Sequence, residues 1–153
     1  MSVENVRKFF LERELEDPVF DLPDSGATVD LAAKVIGVEP EFIAKTLAFK
    51  VKERNVIIVA RGDAKVDNKK FKQYFSTKAK MLKFDEVEDT IGHPVGGVCP
   101  FGVKDNVEIF LDESIRNFEY IYPAAGSKTT ALKITPQKVE ELTKALWIDV
   151  CTY

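Results

Sequence analysis

The chain has 153 residues, 45% of them hydrophobic and 31% charged, with 25 acidic side chains against 22 basic ones, one histidine and two cysteines. That length suits one domain over residues 1 to 153 with a core large enough to fold unaided. The composition excludes a disordered or membrane-spanning chain, because no apolar run nears the roughly 20 residues that a bilayer helix needs. A formal charge of −3 argues against a general nucleic-acid coat, and the few, scattered cysteines and single histidine argue against a disulfide framework or a zinc site.

The first stretch, from Ser2 to about Leu15, places Val3, Val6 and Phe10 at helical spacing, with Ser2 positioned as a cap. It is charged and lacks the apolar core of a signal peptide, so the cytoplasm is the expected compartment, with no membrane contact. "PVFDL" at 18–22 alternates as a short strand, and "PDSGA" breaks it. Thr28 caps the next helix, "VDLAAKVI", which Gly37 stops; Pro40 opens a third, "PEFIAKT". "LAFKVK" and "VIIVARG" around "ERN" read as a hairpin, which puts Lys45 at a helix-to-strand junction. Asp67 caps "NKKFKQYF", and Asp85 caps "EVEDTI" ahead of Gly92. Three strand-length apolar runs follow, "VEIFLD", "EYIYPAAG" and "TALKI", before Thr135 and Pro136 start the amphipathic helix "QKVEELTKALW". Mixed helices and hairpins predict an α+β fold, with a mixed or mainly antiparallel curved sheet rather than a doubly wound one.

Four places carry candidate chemistry. Residues 93–102, "HPVGGVCPFG", hold the only histidine and one cysteine, so Cys99 with His93 as base is one reading. The other gives the work to Gly96 and Gly97, whose backbone can approach a ligand and aim N–H groups at developing negative charge, with Pro94 and Pro100 stiffening the loop. Lys45 lies in an apolar context that suits either a snorkelling side chain or a partnered one. "AAGSKTTAL" at 124–132 is a small-residue turn offering Ser127 and Lys128. Between Lys65 and Lys83 stand seven lysines and one acid, in an otherwise acidic chain. Such a run is either a solvated helix face or a contact for a polyanion.

Taken in order, "KTL" at 45–47, "GGVCPFG" at 96–102 and the glycine-centred turn at 126 resemble the YbaK/ProRS editing-domain family over nearly the whole chain. That family comprises free-standing aminoacyl-tRNA deacylases and the editing insertion domain of bacterial prolyl-tRNA synthetases. The resemblance implies a compact α+β domain with a curved, partly closed sheet flanked by helices. It further implies hydrolysis of the ester in a mischarged aminoacyl-tRNA, with no cofactor or metal. Lys45 matches the lysine held to anchor the tRNA end, and Gly96 and Gly97 match the pair beside the scissile carbonyl. Phe20, Thr46, Cys99, Pro100, Gly126 and Ser127 are then candidates for the substrate pocket. Cys99 stands where serine is common in the family, which suits a pocket lining rather than a nucleophile. Lys69, Lys70 and Lys72 are candidates for the tRNA body, and an aminoacyl-tRNA synthetase is a second candidate partner. Phe20 replaces a tyrosine found in some members, and "SKTTALKI" departs from the "KRGLDIEL"-like stretch of the cysteine-clearing ones. The amino acid therefore stays open among alanine, cysteine, serine and threonine. A non-catalytic tRNA- or synthetase-binding module and a Cys99-dependent hydrolase are the alternative functions.

Overall fold

In the computed structural model, which describes residues 2–153, helix α1 (Ser2–Leu11) buries Val6 and Phe10. It ends before Leu15 because the chain reverses at Glu14, which takes a φ of 59° and lets the Leu15 amide close back on the Phe10 carbonyl. Strand β1 (Phe20–Asp21) is short. Helix α2 (Val29–Ile36) has the expected ends: Thr28 Oγ1 accepts from the Leu31 amide at 3.2 Å, and Gly37 adopts a left-handed φ of 87°.

Pro40–Phe42 make one 3-10 turn instead of the expected longer helix, and the chain passes directly into β2 (Ile43–Val51). Pairing along its length with β3 (Arg54–Arg61) overrides the helical spacing of "FIAKT". Lys45 therefore stands inside a strand. Val56 to Ala60 of β3 have no exposed surface, because this strand is central in the sheet and covered on both faces, which is why it reads as an unbroken apolar run.

After β4 (Lys65–Val66), helix α3 (Asn68–Phe75) starts on Asp67, whose Oδ1 accepts from the Lys70 amide at 3.0 Å, and stops at Ser76 with a φ of 61°. The lysine-rich run is thus not one helix face. Its second half hangs on the edge of β2: the Lys50 amide donates to the Lys80 carbonyl, and the Leu82 amide to the Ala48 carbonyl. Helix α4 (Val87–Ile91) ends at Gly92 as expected, but Asp85 does not cap it. Glu86 occupies that position, and its carboxylate accepts from the Lys83 amide at 2.9 Å.

Strand β5 (Val107–Asp112) runs parallel to β3. The next two apolar runs yield only β6 (Tyr122–Pro123), parallel to β2, and β7 (Thr130–Ala131), antiparallel to β1. Helix α5 (Pro136–Thr143) starts on Thr135 and stops at left-handed Lys144, so Leu146 and Trp147 belong to β8 (Leu146–Ile148), parallel to β5, rather than to the helix. Strand β9 (Cys151–Thr152) pairs with β4.

The result is a mixed five-stranded sheet, order β6-β2-β3-β5-β8, with helices against it and two short ladders beside it. Only β2 and β3 run antiparallel within it, which settles the choice left open by the sequence in favour of a mixed sheet. Val6, Phe10, Leu111 and Val139 share one apolar cluster, and Phe49, Phe71, Phe75 and Phe110 another. Among the described residues, no helix is long and apolar enough to cross a membrane.

Candidate active site

The edge of β2 lacks a partner strand between Ala44, where β6 ends, and Phe49, which bridges to Met81. Side chains from both faces of β2 therefore reach one cleft of about 360 Å³ that wraps this open edge. Lys45 and Thr46 line it from β2, Val29, Ala32 and Ile36 from α2, and Gly96 from the glycine loop. The Lys45 ammonium donates to the Ala64 carbonyl, which fixes the side chain and leaves two further N–H groups. Burial lowers its pKa, and the charge of Lys65 adds to this, while Cys151 and Asp63 act the other way. Thr46 Oγ1 is buried with no hydrogen-bond partner among the described residues.

The two glycines of the loop have different tasks. Pro94 to Gly97 form a turn in which the Gly97 amide donates to the Pro94 carbonyl at 2.9 Å and Gly96 takes a φ of 90°, the type II geometry. The Gly97 amide is thereby used up, and its carbonyl accepts from Gly126 at 2.9 Å. A Cβ on Gly97 would lie 2.4 Å from the Ser127 nitrogen, so this glycine allows two backbone segments to touch. Only Gly96 lines the cleft, and its amide makes no backbone hydrogen bond among the described residues.

The thiol reading fails on burial. Cys99 has no exposed surface and sits in the core cluster, not on the cleft, and burial pushes its thiol up to about 12. His93 is equally buried. Its Nε2 donates to the Phe101 carbonyl at 2.6 Å, which leaves Nδ1 to accept from the Ser2 hydroxyl. The ring is therefore a latch between α1 and the loop rather than a base for the sulfur 3.6 Å away. Cys99 is expected to resist alkylation by iodoacetamide in the native protein and to react only on unfolding; reaction at the rate of a free thiol would contradict this burial.

Burial also lowers the His93 pKa below its ordinary 6.5, opposed only by the Phe101 carbonyl. The unfolded chain then binds the extra proton first. The stability His93 confers is complete above about pH 6.5 and declines as pH falls, by up to about 1.4 kcal/mol per unit. Melting curves from about pH 7 to 5 should show a steeper decline for wild type than for His93→Gln. Parallel curves would mean that His93 does not titrate with folding.

The other expected residues are not all gathered here. Phe20 is on β1 and does not line the cleft, although its register partner Ala131 does. Pro100, Gly126 and Ser127 line a separate groove beside α1, and the Ser127 hydroxyl is engaged with Thr130 Oγ1 at 2.8 Å. These residues build the loop's support. Lys69 and Lys72 are exposed on α3, but Lys70 is tied to Asp149 at 3.0 Å and to the Cys151 carbonyl at 2.9 Å. The α2 wall and the rim residues Met81, Phe84 and Val95 were not singled out in the sequence. Apolar side chains carry no chemical signature there, and only the position of Phe84 beside several lysines was a hint.

The cleft thus takes a half-buried lysine from an open strand edge and, from the loop beside it, a glycine whose amide has no backbone partner among the described residues, a pairing able to set a cation and an N–H donor near a carbonyl group. The chain belongs to the aminoacyl-tRNA editing domain family, whose model matches residues 24–142. It is 44% identical over 153 residues to the uncharacterized protein YwhH of Bacillus subtilis, covering 99% of this chain and 98% of that one. It is 31% identical over 94 residues to the proline–tRNA ligase of Bacillus cytotoxicus, a match covering 61% of this chain but only 16% of the ligase. Among solved structures, a candidate trans-editing enzyme for prolyl-tRNA synthetase superposes with a TM-score of 0.88 at 25% identity, covering 99% of this chain and 98% of that one. The hypothetical protein APE2540 does so with a TM-score of 0.89 at 25% identity, covering 97% and 99%.

Proposed function

We propose that this chain, as one domain over residues 1–153, hydrolyses the ester of a mischarged aminoacyl-tRNA in the cytoplasm, acting apart from the synthetase that made it. The observation that carries this reading is that Lys45, whose ammonium is held by the Ala64 carbonyl, and Gly96, whose amide has no backbone partner among the described residues, line the same cleft. Ester hydrolysis builds negative charge on the carbonyl oxygen, and a preorganised N–H with a cation beside it stabilises that charge without a covalent intermediate. Lys45, half desolvated and steered by the Ala64 carbonyl, holds the tRNA end, while the Gly96 amide faces the carbonyl. Water or a hydroxyl of the terminal ribose attacks. Thr46 Oγ1 gains its missing partner from the bound aminoacyl group. Family membership and the proline–tRNA ligase match support tRNA as the partner, with Lys69 and Lys72 available to its phosphates.

The test is a panel of labelled Ala-, Cys-, Ser- and Thr-tRNA incubated with the protein. Loss of label from at least one, well above spontaneous hydrolysis, is the expected outcome. Stability of all four, with a synthetase present or absent, would reject the deacylase.

A further inference from the structure

Phe84 is 79% exposed, the most exposed of the large hydrophobic side chains, and it stands on the rim of the cleft together with Met81, itself 55% exposed. An isolated phenylalanine in a loop could be a surface accident. This one belongs to a segment that the backbone pins in place, through the Lys50 amide on the Lys80 carbonyl, the Leu82 amide on the Ala48 carbonyl and the bridge from Phe49 to Met81. The same segment carries Lys78, Lys80 and Lys83, all exposed, and none forms an ion pair among the described residues. The carboxylate of Glu86, three residues on from Lys83, accepts from the Lys83 amide. An exposed aromatic face beside a pinned backbone segment, among cations without ion pairs and at the mouth of an ester-handling cleft, has the elements of a single-strand nucleic-acid site, stacking surface and phosphate attraction together.

We infer that Phe84, with Met81 beside it, is the platform on which the 3′-terminal base of the tRNA acceptor strand stacks, while Lys80 and Lys83 neutralise the phosphates that precede it. The inference rests on the deacylase reading for the identity of the nucleic acid. It adds a specificity that Lys45 and Gly96 lack: those two address the ester, whereas the platform addresses the base beyond it. Stacking is tolerant of base identity, so the platform would select an unpaired end over a duplex and leave recognition of the particular tRNA to other contacts.

The experiment uses the whole protein and a short single-stranded RNA ending in CCA, uncharged, so that binding is read without hydrolysis. Phe84→Trp places a reporter at the platform, and wild type, whose one tryptophan is Trp147, is the control. The RNA should quench emission of Phe84→Trp and not of wild type, and an RNA abasic at its terminal position should lose the quench. Phe84→Ala should raise the Kd for the intact RNA, and the KM for the best mischarged tRNA, by about fivefold to a hundredfold, with Phe84→Trp restoring both. Lys80→Gln with Lys83→Gln should reduce the salt dependence of RNA binding by a slope of about 1.4. An unchanged Kd in Phe84→Ala, or a quench that survives removal of the terminal base, would overturn the platform. Loss of synthetase capture by Phe84→Ala with RNA binding intact would also overturn it and reassign the residue to a protein contact. If wild type hydrolyses no mischarged tRNA while the base-dependent quench persists, the platform stands and the deacylase reading falls.

Discussion

Lys45→Ala is expected to slow single-turnover deacylation of the best mischarged tRNA by about thirtyfold to a thousandfold, equivalent to about 2 to 4 kcal/mol of transition-state stabilisation. The size follows from what the side chain does. Its ammonium is half buried beside the open edge of β2, where a charge-assisted hydrogen bond is worth more than in water, and the Ala64 carbonyl has already fixed its direction. Fold should change little, because the residue lies on a strand whose backbone pairing with Ala60 does not depend on the side chain. A snorkelling lysine would behave in the opposite way, costing under about 1 kcal/mol of stability and leaving turnover intact. The measurement is therefore a single-turnover rate beside a melting curve, and a wild-type rate in the folded variant would remove Lys45 from the site.

The second large effect separates the glycine pair. Gly97→Ala should cost about 3 kcal/mol or more, a fall in Tm of about 6 to 12 °C, because its Cβ would meet backbone atoms of Gly126 and Ser127 rather than a side chain that could turn aside. Gly96→Ala meets nothing closer than Ala27 Cβ at 3.4 Å. It carries the strain of a φ of 90°, about 1 kcal/mol, and shifts the amide that the proposed reaction sets against the carbonyl. It should therefore melt within a few degrees of wild type and still lose most of its hydrolytic rate. Should Gly97→Ala melt with wild type, close backbone approach is not why glycine stands there.

What the sequence disclosed was local. Thr28, Asp67 and Thr135 cap helices because each offers an oxygen to an amide two or three residues on, and Gly37 and Gly92 end helices because a left-handed φ suits them. Such contacts need no knowledge of the rest of the chain. What it hid was set by distant partners. "ALW" continues the period of α5, yet Leu146 and Trp147 become a strand because β5 lies beside them. "FIAKT" reads as helix until β3 is laid alongside. The lysine-rich run looks like one face and is two structures, joined at a left-handed Ser76. The candidate site was legible as a constellation, Lys45 with the glycine loop, but not in its division of labour. No spacing rule says that Gly97 faces Gly126 while Gly96 faces the cleft, or that Cys99 turns into the core.

The short ladder of β4 with β9 bears on the order in which the molecule is made. The Ala64 carbonyl that steers Lys45 belongs to the turn leading into β4, and β4 is held by Cys151 and Thr152, with the Asp67 amide on the Val150 carbonyl at 2.8 Å. Lys45 and its support are thus joined across most of the chain's length. A growing polypeptide can complete the β2–β3 hairpin early, but residues 150–152 must leave the ribosome before that turn is secured. The direction of the Lys45 ammonium is therefore a late product of folding, set only when two segments far apart in the sequence have met.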